Sequence, residues 1–168
     1  MTVCTTIDSP LGELTLVGEE SATTRGGVAV ASLSFAGRAL APPAHARRDA
    51  GALAEPARQL AEYFRGERRV FDLEYAVTGT AFRQRVWRAL EEIPYGTTVT
   101  YGEIAERIGA PRAAVRSVGA ACGANPLLVL RPCHRVIGAG GALTGYAAGL
   151  ERKEWLLTHE GALQPVLA

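Results

Sequence analysis

The sequence predicts an α/β fold in which strands come first and helices follow. Three observations point there. Apolar residues alternate at Leu14 and Leu16 and again at Val28 and Val30, with Gly and Ser clusters between them. From Thr80 onward the apolar residues fall at helical spacing instead. Between residues 100 and 126, two short helical patterns flank a Gly-containing turn, the outline of a helix-turn-helix. The composition changes near Gly79, so the boundary is set there: residues 1–79 as an N-terminal α/β domain and 80–168 as a helical C-terminal one.

Cys4 falls in an expected edge strand, and residues 10–35 supply the alternating strands just described. APPAHARR, residues 41–48, reads as a loop running into a helix over 45–67, where Leu53, Ala57, Leu60 and Phe64 share one face. RRVFDLEYAV, residues 68–77, alternates again and predicts a further strand. Thr80 can cap the next helix, whose apolar face is Phe82, Val86, Trp87 and Leu90; Pro94 and Gly96 close it. Thr100 and Glu103 have capping-box spacing ahead of Ile104, Ala105 and Ile108, and Gly109 is a stop. Pro111 suits the first position of a second helix, with Val115, Val118 and Cys122 facing inward and Pro126 forbidding continuation.

That second helix is stripped of bulk: Ala113, Ala114, Ser117, Gly119, Ala120, Gly123 and Ala124 are all small. A helix-interior Gly costs about 1 kcal/mol relative to Ala, so a packing or functional reason is expected. One reading is a tight helix–helix contact. The other is close approach to a ligand, and Arg116 projecting from such a helix points to DNA.

Composition narrows the field. With 48% hydrophobic and 21% charged residues the chain is globular, not disordered. No apolar run approaches the ~18 residues of a membrane span. The N-terminus lacks a basic start and carries Asp8 and Glu13, unlike a signal peptide, so a cytoplasmic protein is expected. Three cysteines without CxxC spacing argue against a disulfide framework and against a zinc site. Net charge is only +1, yet Arg107, Arg112, Arg116, Arg131 and Arg135 form a stretch with no acid among them, as an anionic partner would favour.

Candidate chemistry centres on RPCHRVIG. Leu127 to Leu130 reads as a short buried strand that Pro132 ends, leaving Cys133 at its tip or in the turn beyond. His134 and the flanking Arg131 and Arg135 would favour a thiolate. Neighbours in an extended strand point to opposite sides, so His134 reaches the sulfur only if the backbone turns, or through a water. Glu160 is a candidate to orient that imidazole. Cys4 and Cys122 read as packing residues, His45 and His159 as solvated, and Trp87 and Trp155 as core.

PCHRVIG, the preceding RSVGAACGANP and the following GALTGYAAGLERKEWLLTHEG together resemble the O6-alkylguanine-DNA alkyltransferase family. Arg116, Asn125 and Glu160 stand at the family's spacings from Cys133. The likeness is strong over residues 79–161 and looser before, chiefly in DSPLGELTL and LAEYFRGE. It implies a ribonuclease H-like N-terminal α/β domain and a winged-helix-like C-terminal domain. It also implies single-turnover repair: transfer of an alkyl group from O6-alkylguanine, with O4-alkylthymine a further candidate, in double-stranded DNA to the protein's own cysteine, with no cofactor and no metal. By the same resemblance Cys133 is the nucleophile, His134 its base through a water, Glu160 the orienting carboxylate and Tyr101 a donor to the departing guanine. Arg116 fills the gap left by the flipped base; Arg112, Ser117, Gly119 and Ala120 meet DNA; Asn125, Val136, Tyr146 and Ala147 form the substrate pocket. A monomer is implied, with room for cooperative assembly along DNA.

Three positions depart from commoner family patterns: Arg131 stands where an apolar residue usually precedes Pro-Cys, Ala147 is small, and Val115 is larger than Ala. Two other readings remain at this point. One is a non-catalytic DNA-binding module, either a helix-turn-helix regulator or an alkyltransferase-like damage sensor, and such sensors lack the cysteine; the other is a cysteine hydrolase with a Cys-His-Glu triad, which would turn over repeatedly.

Overall fold

The computed structural model describes residues 1–36 and 42–163. The chain divides into two compact units, Met1–Val77 and Thr78–Ala168.

Among its described residues, the first unit is a four-stranded sheet with one helix. Strands β1 (Thr2–Ile7), β2 (Leu14–Glu20) and β3 (Val28–Phe35) form an antiparallel meander, and a two-residue β4 (Arg47–Arg48) pairs parallel to β1, giving the order β3-β2-β1-β4. Leu14, Leu16, Leu33 and Phe35 are fully buried, as the alternation predicts. The register shifts between Val17 and Gly18. A Cβ on Gly18 would come within 2.8 Å of Val28 Cγ2 and 2.9 Å of Leu53 Cδ2, so only glycine lets these side chains close over the sheet.

Three expectations for this unit are corrected. Cys4 is not on an edge, since β1 lies between β2 and β4. The helix over 45–67 shrinks to α1 (Ala54–Phe64), because residues 47–48 join the sheet and the Asp49 carboxylate accepts from Ala52 N–H, holding a turn before it. Its inner face is Leu60 and Tyr63, with Leu53 at the cap, not Phe64. The strand over 68–77 reduces to a bridge in which Glu74 and Ala76 flank Val30; the alternation is present, with Phe71, Leu73, Tyr75 and Val77 half-buried and Asp72, Glu74 and Ala76 exposed, but only Tyr75 pairs with the sheet. Of the loop at 41–48, residue 41 lies outside the described residues.

The second unit carries α2 (Ala81–Glu91), β5 (Val99–Thr100), α3 (Tyr101–Arg107), α4 (Val115–Gly123), β6 (Val136–Ile137) and α5 (Leu150–His159). Both expected N-caps form: Thr80 Oγ1 accepts from Arg83 N–H and Thr100 Oγ1 from Glu103 N–H. The Trp87 indole donates to Ala121 C=O at 2.9 Å, tying α2 to the inner face of α4. Gly109, at φ +70, ends α3. Pro111 caps a 3₁₀ turn, Arg112–Ala114, that leads into α4, so the second helix starts later than expected. Trp155 is half-buried and stacked on His159, 4.8 Å between ring centroids, rather than in the core. Most consequential is the parallel pairing Val99↔Val136, which sets Tyr101 at the head of α3 beside the residues that follow Cys133.

Replacing Thr80 by Ala removes one N–H partner at the head of α2. It should lower the stability of the second unit by about 1 kcal/mol in denaturant titrations, with an unchanged m-value.

Candidate active site

The cysteine sits in a turn, not on a strand. Leu127–Leu130 are all buried but turn tightly, with Leu130 N–H donating to Leu128 C=O and Arg131 N–H to Leu127 C=O. Val129 takes φ +69, a conformation that a β-branched residue adopts only when its surroundings impose it. Asn125 is what imposes it. Its Oδ1 accepts from Leu127 N–H at 3.0 Å, and its Nδ2 donates to the carbonyls of Leu127 (3.3 Å) and Arg131 (3.0 Å). An apolar run of four satisfies a strand and a buried turn equally, and the side-chain amide decides between them.

Cys133 opens the 3₁₀ turn Cys133–Arg135, and its N–H donates to Arg131 C=O at 2.7 Å. The residue is 5% exposed, yet it lines a cavity of about 120 Å³ with Tyr101, Gly119, Cys122, Gly123, Gly145, Tyr146 and Ala147. Gly123, Gly145 and Ala147 are exposed, so the cavity meets the surface where the walls are smallest. For scale, a dry cavity of ~150 Å³ holds benzene.

Behind the sulfur lies a buried carboxylate with three donors. Glu160 Oε2 accepts from His134 Nε2 at 2.8 Å and from Arg135 Nη2 at 3.0 Å, and Oε1 accepts from Arg135 Nε at 2.7 Å. Burial alone would raise the Glu160 carboxyl; the hydrogen bonds from His134 and Arg135 overcome it and hold the group well below the usual range. An ionised carboxylate demands a donor, so the His134 proton is on Nε2. Burial depresses the imidazole despite Glu160, leaving the ring neutral. Its Nδ1, a bare lone pair, is buried with no partner among the described residues. The site therefore presents a base whose acceptor lone pair faces the cysteine turn without a protein donor among the described residues.

The expectation of a resting thiolate has burial against it. Burial pushes the Cys133 thiol above its ordinary value, outweighing the Asn125 amide, Lys153 and Arg131, which pull it down. The flanking arginines are also paired with acids, which blunts their pull: Arg131 with Glu91, and Arg135 with Glu160 and Ile93 C=O. The stretch of five arginines is thus not one surface. Arg107, Arg112 and Arg116 are exposed, while Arg131 and Arg135 are buried and paired.

Sequence reasoning missed Lys153. It is 0% exposed, and its Nζ donates to the carbonyls of Val136 (2.6 Å), Thr144 (2.9 Å) and Gly145 (3.1 Å). Burial depresses its pKa, and its charge favours thiolate at Cys133. The signal was present: Lys153, Leu156, Leu157 and Glu160 share one stripe of α5, so a lysine stood on the inward face.

The other expected residues fall into two groups. Around the cavity, Tyr101 donates to Thr144 C=O at 3.0 Å, so the phenol is anchored on the same carbonyl as Lys153. Tyr146 sets its ring edge-on to His134, centroids 6.5 Å apart. Ala147 lines the mouth. Asn125 and Val136 are buried beneath the walls, bracing the turn and anchoring Lys153, and do not line this cavity.

On α4, Val118, Ala121 and Cys122 face inward, while Arg116, Ser117 and Ala120 are exposed and Gly119 is half-buried. A Cβ built on Gly119 or Gly123 would meet nothing within 4 Å. These glycines do not serve a tight helix–helix contact. They leave an open, shallow surface beside the cavity. Among the described residues, no group of three or more His, Cys, Asp or Glu is placed to hold a metal ion.

Comparison with known proteins bears on this site. The family model described as 6-O-methylguanine DNA methyltransferase, DNA binding domain, matches residues 81–162, and the one described as its ribonuclease-like domain matches residues 2–76. The methylated-DNA–protein-cysteine methyltransferase of Mycobacterium tuberculosis is 49% identical over 161 residues, covering 95% of this chain and 93% of its own. That of Methanosarcina acetivorans is 45% identical over 155 residues, covering 92% and 96%. The crystal structure of Mycobacterium tuberculosis O6-methylguanine methyltransferase aligns with TM-score 0.85 at 47% identity, covering 98% of this chain and 96% of that one. A structure of the Mycobacterium tuberculosis protein in complex with DNA aligns at 0.84 and 48%, covering 94% and 91%.

Because the folded Glu160 carboxyl lies below its unfolded value of 4.5, its stabilisation is complete above that pH and is lost as pH falls below it. Glu160→Gln should destabilise the second unit by about 3–5 kcal/mol at pH 7, as Arg135 loses its counter-charge, and should flatten the decline in stability below pH about 4.5. Urea unfolding across pH measures both.

Proposed function

The chain belongs to the 6-O-methylguanine DNA methyltransferase family, the methylated-DNA–protein-cysteine methyltransferases, and on that footing we propose how its own residues carry out the repair reaction on duplex DNA. The observation that carries the proposal is the buried Nδ1 of His134, unpartnered among the described residues, beside the cavity-lining Cys133 at a site where burial disfavours both ions.

Binding comes first. The small outer residues of α4, Ser117, Gly119 and Ala120, let the helix approach a minor groove only ~6 Å wide, with Arg112 close to the backbone phosphates. Extruding the damaged guanine costs a few kcal/mol, which Arg116 offsets by filling the gap it leaves. The purine enters the cavity between Tyr101 and Tyr146, where Gly145 and Ala147 leave room for the O6 substituent.

The chemistry is a displacement at carbon. The Cys133 thiol gives its proton to His134 Nδ1 through a water, and Glu160 stabilises the imidazolium that forms. The sulfur lone pair attacks the alkyl carbon, an S–C bond forms and the C–O6 bond breaks. The departing electron pair moves onto the guanine ring, where the Tyr101 phenol, exchanging Thr144 C=O for the base, quenches the charge. A soft sulfur suits this step, and the thioether leaves no route back, so each molecule reacts once.

Cellular placement follows the chemistry. No helix among the described residues is long and apolar enough to cross a membrane. All three cysteines are free, as a reducing cytoplasm would keep them.

Incubation with duplex DNA containing O6-methylguanine should raise the intact mass by one methylene, on the peptide that holds Cys133; a Cys133→Ala protein that still gained the mass would refute the assignment. Arg116→Ala should slow repair in duplex by ~10-fold or more while leaving transfer from a free benzylated base nearly unchanged. Equal losses on both substrates would contradict the role given to Arg116.

A further inference from the structure

Arg131 belongs neither to a DNA-facing surface nor to the alkyl-transfer steps above, yet it is buried at the active-site turn. Its guanidinium is held on three sides. Nε donates to Glu91 Oε1 at 3.3 Å, the carbon of the fork lies 4.9 Å above the Trp87 ring, and Nη1 approaches Asn125 Oδ1 at 3.4 Å. Its main chain is engaged as well: the Arg131 carbonyl accepts from both Cys133 N–H and Asn125 Nδ2.

The Asn125 contact has a specific consequence. A side-chain amide presents two faces of similar shape and opposite hydrogen-bonding sense. The Leu127 N–H already places the oxygen on one face, and the Arg131 guanidinium N–H on that same face adds to it, since NH₂ there would set donor against donor. Asn125 NH₂ is therefore turned toward the Leu127 and Arg131 carbonyls and the Cys133 turn. We propose that Arg131 is a positioning residue for the Cys133 nucleophile: held between Trp87 and Glu91, its guanidinium reinforces the orientation of the Asn125 amide and sets a permanent positive charge near the sulfur. This deepens the reading of Cys133 as the nucleophile and rests on it.

The electrostatics agree in direction. After burial, the Asn125 amide exerts the largest influence on the Cys133 thiol, and it favours the thiolate; Lys153, the Cys133 main chain and, last, Arg131 act the same way. Other titratable groups around the sulfur are Cys122 on α4, Tyr101 on α3, Lys153 and Glu160 toward α5, and His134, Arg135 and Tyr146 in the loops. Glu91, on α2, partly neutralises Arg131 and so opposes it. The two members of this pair should thus shift Cys133 in opposite directions, which a structural role in holding the turn would not do.

The test uses iodoacetamide on the DNA-free protein, with the pH dependence of Cys133 carboxamidomethylation followed by peptide mass and the fold checked by circular dichroism. Arg131→Leu should move the midpoint for Cys133 upward and slow its labelling roughly three- to tenfold at neutral pH. Glu91→Gln should move the midpoint downward and speed labelling by about twofold, a smaller effect because Glu91 is partly exposed. An unchanged midpoint in a folded Arg131→Leu protein, or shifts of the same sign in both variants, would overturn the proposal. Should Arg131→Leu fail to fold, Glu91→Gln decides alone: a fixed or raised midpoint overturns it. Since no DNA is involved, failure of the alkyl-transfer reading would register separately, as a wild-type protein that gains no methylene from O6-methylguanine.

Discussion

A buried carboxylate with three donors organises this site. Glu160 takes hydrogen bonds from His134 and twice from Arg135, and each bond fixes something else. The His134 bond sets the imidazole tautomer. The Arg135 fork docks the end of α5 against the cysteine turn, and Arg135 Nη1 extends the connection to Ile93 C=O beyond α2. Gly96, at φ +79, lets the following loop pass the same point: a Cβ there would come within 3.1 Å of the Glu160 carbonyl. A buried carboxylate without these partners would take up a proton, and then His134 Nε2 would lose its acceptor.

The resting site is consequently uncharged where the reaction happens and charged behind it. Thiol and imidazole both stay neutral because burial penalises either ion. The compensating charges sit one layer back, in Glu160, Arg135, Arg131 and Lys153. On the proposed mechanism, the ion pair forms only when an alkyl group is presented, in a cavity already lined with fixed dipoles and cations. A permanently ionised cysteine would react with any electrophile that entered. A buried thiol waits for a substrate placed closely enough to react.

Much of this was legible in the sequence, for identifiable reasons. Both helix caps are local signals that three residues carry, and both form. Cys133, His134 and Glu160 were recognisable from a motif and a spacing, and the structure brings His134 and Glu160 to 2.8 Å. What failed was whatever depended on partners far along the chain. Leu127–Leu130 looked like a strand because burial alone does not distinguish a strand from a turn; Asn125 does. Arg131 and Arg135 looked like a basic surface because their counter-charges, Glu91 and Glu160, lie 40 and 25 residues away. Lys153 went unnoticed because its partners are main-chain carbonyls, which no residue pattern marks. The thiolate expectation rested on the cations next to Cys133 in sequence, of which Arg131 does favour the ion, and left out the desolvation that the fold supplies against it.

The central claim is that His134 is a neutral base with its proton on Nε2. Nitrogen-15 NMR of the histidine-labelled free protein at pH 7 addresses it directly. The account predicts a ring with protonated Nε2 and a bare, pyridine-like Nδ1, unchanged when Cys133 is replaced by Ser. A resonance pair from an imidazolium, both nitrogens protonated and lost with that replacement, would mean a resting thiolate–imidazolium pair and would contradict it.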